Sequence, residues 1–164
     1  MAAHSVRGKP VVPIHAVSTS RDATRTRAAA AVVRRDAMAS TDPLDVAARL
    51  FSAIEGGDVA AVAQIYAPDA VIWHNHTGAT QTAEENVQIL GLVTKRLRGL
   101  RYEEVRRQRT ERGFVQQHVL RARGPEGQPV EIRACILCDV VDGRITRLDE
   151  YIDGAAVARI VAML

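Results

Sequence analysis

Three residues of this sequence have side chains that could serve acid–base catalysis together: Asn75, His118 and Glu150. A carboxylate that loses its hydration on an apolar surface becomes a stronger base, so Glu150 is the candidate general base. An imidazole can donate or accept a proton near neutral pH, which suits His118 as proton donor or polariser. Asn75 could hold a water or a substrate oxygen beside them. These residue types predict acid–base chemistry.

Strand periodicity directs two of these side chains inward. Residues 113–123 alternate between a face that holds Gln116, His118 and Leu120 and a face that ends in Arg121 and Arg123. The less charged face of a half-buried strand is expected to face the core. Residues 144–152 alternate in the same way. Leu148 and Ile152 share the face of Glu150 there, while Asp149 lies on the other.

A third strand, residues 129–141, predicts an apolar wall for the same pocket. Its apolar face alternates with Glu131, Arg133 and Asp139. We expect the substrate to contact this wall and the residues beside it. The predicted substrate-binding residues are Trp73, Gln116, Leu120, Ile132, Ala134, Ile136 and Leu148.

Helices and strands that could position these residues follow from caps and periodicity. Asp42-Pro43 predicts a helix start and Gly56-Gly57 its end, and Asp58 can cap a second helix. Residues 70–76 predict a strand, and a capping box from Thr82 to Glu85 predicts a third helix. Strands are predicted at 100–109, 113–123, 129–141 and 144–152, with a last helix at 155–164. This order indicates an α+β fold: a curved antiparallel sheet with three to four helices around a cone-shaped pocket.

Charge divides the chain into a basic leader and a slightly acidic domain. Residues 1–40 hold seven basic and two acidic side chains, a net charge of +5. Since the whole chain has a net charge of +3, residues 41–164 have a net charge of −2. This balance argues against nucleic-acid binding. We expect a disordered leader, which is either an organelle transit peptide or an upstream extension with Met38 as the natural start. No apolar run is long enough to span a membrane.

Two pairs of potential metal ligands are predicted to be structural. Cys135 and Cys138 have C-x-x-C spacing, but residues three apart on a strand point to opposite faces. They are therefore expected to be free thiols, which fits a reducing cytoplasm. His74 and His76 share one face of a strand but have no evident third ligand. We expect neither a metal nor another cofactor.

The sequence resembles nuclear-transport-factor-2-like proteins over roughly residues 42–160. The resemblance rests on Leu50 to Asp58, Ile65 to Val71 and Asp142 to Asp153. It implies the cone-shaped fold and a homodimer formed through the outer face of the sheet. The superfamily hosts ketosteroid isomerases, limonene-epoxide-hydrolase-like enzymes and SnoaL-type polyketide cyclases.

Residue by residue, the resemblance implies a related pocket with altered chemistry. Leu50 stands where the isomerases have a Tyr, and their acidic base is missing from the first strand. Trp73 and Asn75 stand where the epoxide hydrolases have an aromatic hydroxyl and an Asn. Gln116 and His118 replace the hydrolases' Arg and Asp, and Glu150 replaces the carboxylate that activates water. SnoaL-type cyclases also keep an acid on this last strand.

Three functions from different classes stay open on the sequence. The leading hypothesis is a cofactor-independent acid–base enzyme that acts on a small hydrophobic molecule, by epoxide hydrolysis or by polyketide-type cyclisation or isomerisation. The second is a binding protein for an apolar ligand without catalysis. The third is a dimerising interaction module whose pocket is filled by its own side chains. An inward Glu and His favour the enzyme, because a lipid binder gains nothing from a buried charge.

Overall fold

A computed structural model describes residues 40–163, so the predicted leader lies, except for Ser40, outside the described residues. The helices are α1 (Pro43–Gly56), α2 (Val59–Ile65), α3 (Ala83–Arg96) and α4 (Gly154–Val161). The strands are β1 (Tyr66–His74), β2 (Thr80–Thr82), β3 (Arg98–Arg109), β4 (Gly113–Arg123), β5 (Pro129–Val141) and β6 (Arg144–Ile152). No helix in this part of the chain is long and apolar enough to cross a membrane.

The helices begin where the sequence supplies a cap. The side chain of Asp42 accepts a hydrogen bond from the backbone N–H of Leu44, and Asp58 and Asp153 cap α2 and α4 in the same way. Thr82 and Glu85 form the predicted capping box at the start of α3. Gly57 ends α1 in the left-handed conformation, at a φ of 69°, which costs little without a Cβ.

The six strands form one mixed sheet in the order β2-β1-β6-β5-β4-β3. Hairpins link β3 to β4, β4 to β5 and β5 to β6, and all three pairs are antiparallel as predicted. The pairing between β1 and β6 is parallel. No turn signal links two strands so far apart in the chain, so this contact was not predicted.

Irregular pairing accompanies the curvature of the sheet. The register shifts within β3–β4, within β5–β6 and between Tyr66 and Val71 in β1. Glu104, at one of these shifts, has a φ of 52°, as a bulge residue can. Such bulges bend and twist a strand, which lets one face of the sheet become concave.

The core lies between the concave face and the helices. α1 buries Val46, Leu50 and Ile54 at helical spacing, and the sheet contributes fully buried residues such as Ile72 and Phe114. Helices on one face of a sheet give the predicted α+β architecture, which the structure confirms. The hydrophobic core does not fill the whole space between the layers, and a cavity is left.

Candidate active site

The cavity has a volume of about 370 Å³ and a mostly apolar wall. This volume falls within the range of pockets that bind small molecules, about 300–1,000 Å³. Aliphatic side chains from α1, α3, α4 and the concave face make most of its surface. The titratable side chains that line it are Tyr66, His74, His76, Tyr102, His118 and Glu150.

Glu150 lies inside the cavity as predicted and is paired with His74. The two residues are register partners on β6 and β1, and His74 Nε2 lies 3.1 Å from Glu150 Oε2. Only 21% of the Glu150 side chain and 12% of the His74 side chain are exposed. Glu150 Oε1 has no hydrogen-bond partner among the described residues, so one carboxylate oxygen stays available to a ligand.

His74 was missed as a site residue because Trp73 and Asn75 were expected to face inward. The alternation of β1 decides otherwise, because Ile72 is fully buried and His74, two residues on, shares its face. The alternation of Ala70, Ile72 and His74 was readable in the sequence. The resemblance to the epoxide hydrolases had instead implied that Trp73 and Asn75 face the pocket.

Trp73 and Asn75 were predicted to face the pocket, but neither lines the cavity. The indole of Trp73 packs edge-on against Tyr151, with 5.4 Å between ring centroids. The side chain of Asn75 accepts a hydrogen bond from the backbone N–H of Ile152 at 2.9 Å and donates one to its carbonyl at 3.2 Å. Asn75 thus joins the end of β1 to β6.

His118 lies in the cavity wall and is only 5% exposed. Its ring packs edge-on against Phe51 and Tyr102, with centroid distances of 5.3 and 4.7 Å. Burial lowers the pKa of His118; the charge of Glu150 acts in the opposite direction, and that of Arg107 lowers the pKa further. The net effect favours the neutral ring, which has one N–H donor.

Gln116 lies behind His118, outside the lining of the cavity. It is fully buried and does not line the cavity. Its side-chain nitrogen lies 3.1 Å from His118 Nδ1, and its side-chain oxygen accepts a hydrogen bond from Arg107 Nε at 2.6 Å. Gln116 was predicted to bind substrate, and the structure places its side chain against His118 and Arg107.

A single register row connects these groups across the concave face. His74 pairs with Glu150, Glu150 with Ile136, Ile136 with Gln116 and Gln116 with Arg107. Register partners lie side by side on the same face of a sheet. The row therefore places the paired carboxylate at one end and the partners of His118 at the other, with the Ile136 side chain between them.

Two tyrosines complete the polar surface of the cavity and were not predicted there. Tyr66 is the first residue of β1, which begins four residues earlier than expected, and its hydroxyl donates to Asn86 Oδ1 at 3.0 Å. Tyr102 pairs with Leu120, which also lines the cavity.

Burial raises the pKa of both phenols, Tyr66 and Tyr102, well above 10.0, and the charge of Glu150 adds to the shift. Both hydroxyls therefore stay protonated at neutral pH. The alternation of Leu100 and Tyr102 could have predicted the second.

The remaining predicted wall residues divide into two groups. Leu120, Ile132, Ile136 and Leu148 line the cavity. Ala134 does not; it borders a groove on the outer face of the sheet, and its register partners His118 and Ile152 line the cavity instead. The side chain of Ala134 is a single methyl group, so the larger side chains of His118 and Ile152 on either side of it form the cavity wall there.

The two cysteines lie on opposite sides of β5. Cys138 is buried, Cys135 is half-buried and borders the outer groove, and both are free thiols. Burial raises the pKa of each thiol. Within residues 40–163 no three His, Cys, Asp or Glu side chains are grouped so that they could hold a metal ion.

Comparison with known proteins gives a family match and many similar folds. A family model described as a SnoaL-like domain matches residues 47–148, more than half of the chain. No curated protein sequence matches the chain significantly.

Solved structures of low sequence identity share the fold. IdmH from Streptomyces antibioticus, for which a polyketide cyclase activity is proposed, is 21% identical and superposes with a TM-score of 0.61 over 73% of this chain and 98% of its own. A limonene-epoxide-hydrolase-like enzyme from M. tuberculosis is 17% identical, with a TM-score of 0.60 over 75% of this chain and 91% of its own. A protein of ketosteroid isomerase-like fold from Catenulispora acidiphila is 15% identical, with a TM-score of 0.61 over 73% and 93%.

The lowered pKa of His118 predicts a loss of stability in acid. Its ordinary value is 6.5, so below about pH 6.5 the unfolded chain binds a proton that the folded protein resists. The free energy of unfolding should therefore fall as the pH falls below 6.5, with a slope of at most about 1.4 kcal/mol per pH unit from this group. Thermal melts between about pH 5 and pH 8 should show a shallower fall for His118→Gln than for the unmodified protein.

His76→Gln is the matched control for that comparison, because it removes an exposed imidazole at the cavity mouth. If the melting temperatures of the unmodified protein and His118→Gln change in parallel over this range, His118 is not held neutral by the fold.

Proposed function

Since the chain belongs to the SnoaL-like domain family, we propose that its cavity is the active site of a cofactor-independent acid–base enzyme that acts on a small hydrophobic molecule. The observation that carries the proposal is the Glu150 carboxylate in a mostly apolar cavity. One of its oxygens lies against His74, and the other has no hydrogen-bond partner within residues 40–163. Family membership alone leaves the activity open, because function depends on the site rather than on the fold.

The position of Glu150 favours catalysis over passive binding. Placing a carboxylate in an apolar cavity costs free energy unless it is paired and hydrogen-bonded. A protein that only bound an apolar ligand would be better served by an uncharged side chain there. A carboxylate with one oxygen against a histidine and the other available is suited to accept a proton from a bound molecule. The open cavity also argues against an interaction module filled by its own side chains.

The proposed reaction is proton transfer at a carbon next to a carbonyl group. Glu150 Oε1 takes the proton, the C–H electron pair moves into the carbon framework, and negative charge develops on the carbonyl oxygen. The N–H of neutral His118 and the hydroxyl of Tyr102 are the donors for that oxygen. In a ring closure, the electron pair attacks the carbon of a second carbonyl group, the π bond of that group breaks, and its oxygen takes the proton from Glu150. In an isomerisation, the electron pair takes the proton back from Glu150 at a different carbon.

Epoxide hydrolysis is the second candidate, and the position of Asn75 makes it weaker. Opening an epoxide with water needs groups that hold the water beside the base. Asn75 was expected to hold that water, but its amide is hydrogen-bonded to the backbone of Ile152. Glu150 in the cavity could still activate a water, so a test of the site should include epoxides.

We expect Glu150→Gln to lower turnover by about 10²-fold or more, because the change keeps the shape of the side chain and removes the base. The matched control is Asp149→Asn, which removes the neighbouring carboxylate; Asp149 is bonded to Arg147 on the other face of β6. Both variants and the unmodified protein should be assayed against a panel of cyclic ketones, enones and small terpene epoxides. The class of compound that is turned over identifies the reaction.

Binding must be measured beside turnover to separate an enzyme from a binder. The same panel can be screened by the shift in melting temperature. Ligands that stabilise the unmodified protein and Glu150→Gln equally, with no turnover by either, would leave a binding protein in place of an enzyme.

We also propose that the protein is a cytoplasmic homodimer formed through the outer face of the sheet. This face exposes Leu137 and Tyr151, and its groove is bordered by Glu104 and Arg133. These two charges pair within one chain, and in a dimer they could pair across the two copies instead. Sedimentation should then give twice the chain mass, reduced to one chain by Leu137→Arg. The control Leu92→Arg, at an exposed apolar residue of α3, should stay dimeric; a monomeric unmodified protein would exclude the dimer.

A further inference from the structure

We infer that Arg107 and Gln116 are positioning residues that keep the neutral ring of His118 in one tautomer, with its proton on Nε2. This inference rests on the proposed function only for its consequence, since the tautomer is a property of the protein without substrate. The contacts that set it form a chain of two hydrogen bonds behind the cavity wall.

The first hydrogen bond fixes the orientation of the Gln116 amide. The Nε–H of Arg107 can only donate, so the atom 2.6 Å away must be the amide oxygen of Gln116. Arg107 is itself held in place. Its guanidinium lies 5.4 Å from the centre of the Phe51 ring, and Nη1 donates to the carbonyl of Leu44 at 3.4 Å.

The second hydrogen bond passes this orientation on to the imidazole. With its oxygen on Arg107, Gln116 presents its NH2 group to His118 Nδ1 at 3.1 Å. An NH2 group can only donate, so Nδ1 must carry a lone pair. The single proton of the neutral ring then lies on Nε2, which has no hydrogen-bond partner among the described residues. His118 lines the cavity, so this proton is available to a ligand there.

The same geometry opposes a second proton on the ring. A protonated His118 would turn an Nδ1–H bond toward the NH2 group of Gln116, and two donors would face each other. Water cannot relieve this conflict easily, because Gln116 is fully buried and His118 is 5% exposed.

The charged and titratable groups around His118 come from two strands. Arg107 and Tyr102 face it from β3, and Glu150 acts on it from β6. α1 contributes the uncharged ring of Phe51. Burial and Arg107 favour the neutral ring, Glu150 favours the charged one, and burial is the largest of the three effects.

A neutral Nε2–H donor selects for the kind of ligand that the cavity takes. It suits an uncharged oxygen acceptor, such as a ketone carbonyl, on which negative charge grows only during the reaction. An imidazolium would instead favour a ligand that is anionic before the reaction. The substrate class that fits the site is therefore a neutral carbonyl compound with an apolar framework.

The test is a long-range 1H–15N spectrum of the full-length protein, which distinguishes protonated from unprotonated ring nitrogens of histidine. His118→Gln identifies the His118 signals among the five histidines by removing them. We expect Nδ1 of His118 to be unprotonated and Nε2 to carry the proton at neutral pH. A proton on Nδ1, or a fully protonated ring, in the unmodified protein overturns the inference without any variant.

Gln116→Glu tests the cause. A carboxylate accepts from both sides, so it should draw the proton to Nδ1 and raise the midpoint of the His118 titration by at least about one pH unit. The matched control is Gln117→Glu, which adds the same charge at an exposed side chain that borders the outer groove, and it should leave the tautomer unchanged. Arg107→Met should allow both amide orientations and give mixed tautomers.

If Gln116→Glu folds and the His118 proton stays on Nε2, Gln116 does not set the tautomer. If that variant does not fold, the spectra of the unmodified protein and of Arg107→Met decide the inference. None of these spectra needs a substrate, so a failed search for activity and a failed inference about the tautomer are separate results.

Discussion

The contact between Glu150 and His74 is the constraint on which the rest of the site depends. A carboxylate stays in an apolar cavity only if a partner offsets its lost hydration. That partner comes from β1, which the chain completes some seventy residues before β6. The parallel pairing of these two strands sets His74 directly beside Glu150 at 3.1 Å. A register shift of one residue would turn Trp73 or Asn75 into that place and leave the carboxylate unpaired.

The opposite end of the same row meets a different requirement. The proposed reaction needs His118 as an uncharged donor to a neutral oxygen. Burial lowers the pKa of His118, which favours the uncharged ring. Arg107 stands behind it and is separated from it by the amide of Gln116. Two titratable groups in one cavity are thus given unlike surroundings, a paired carboxylate and a desolvated imidazole. Such a division is how many sites assign the base and the acid.

The sequence predicted most where the pattern was local. β4, β5 and β6 have the predicted bounds, because turns and an alternating apolar face mark them. Their alternation also placed His118 and Glu150 in the cavity. The failures lie where distant parts of the chain meet. The parallel contact between β1 and β6, and the early start of β1 that brings Tyr66 to the cavity, leave no mark in a short window of sequence. The inward direction of His74 is different, because the alternation of Ala70, Ile72 and His74 was readable.

The most direct test of the account is deuterium exchange into a bound ketone that the protein need not convert. A bicyclic ketone such as 2-decalone, shown to bind by a shift in melting temperature, would be incubated with the protein in D2O and followed by mass spectrometry. We predict that the protein speeds exchange of the hydrogens next to the carbonyl group. Glu150→Gln should remove this effect and keep ligand binding. Exchange at equal rates with both proteins would contradict Glu150 as the base.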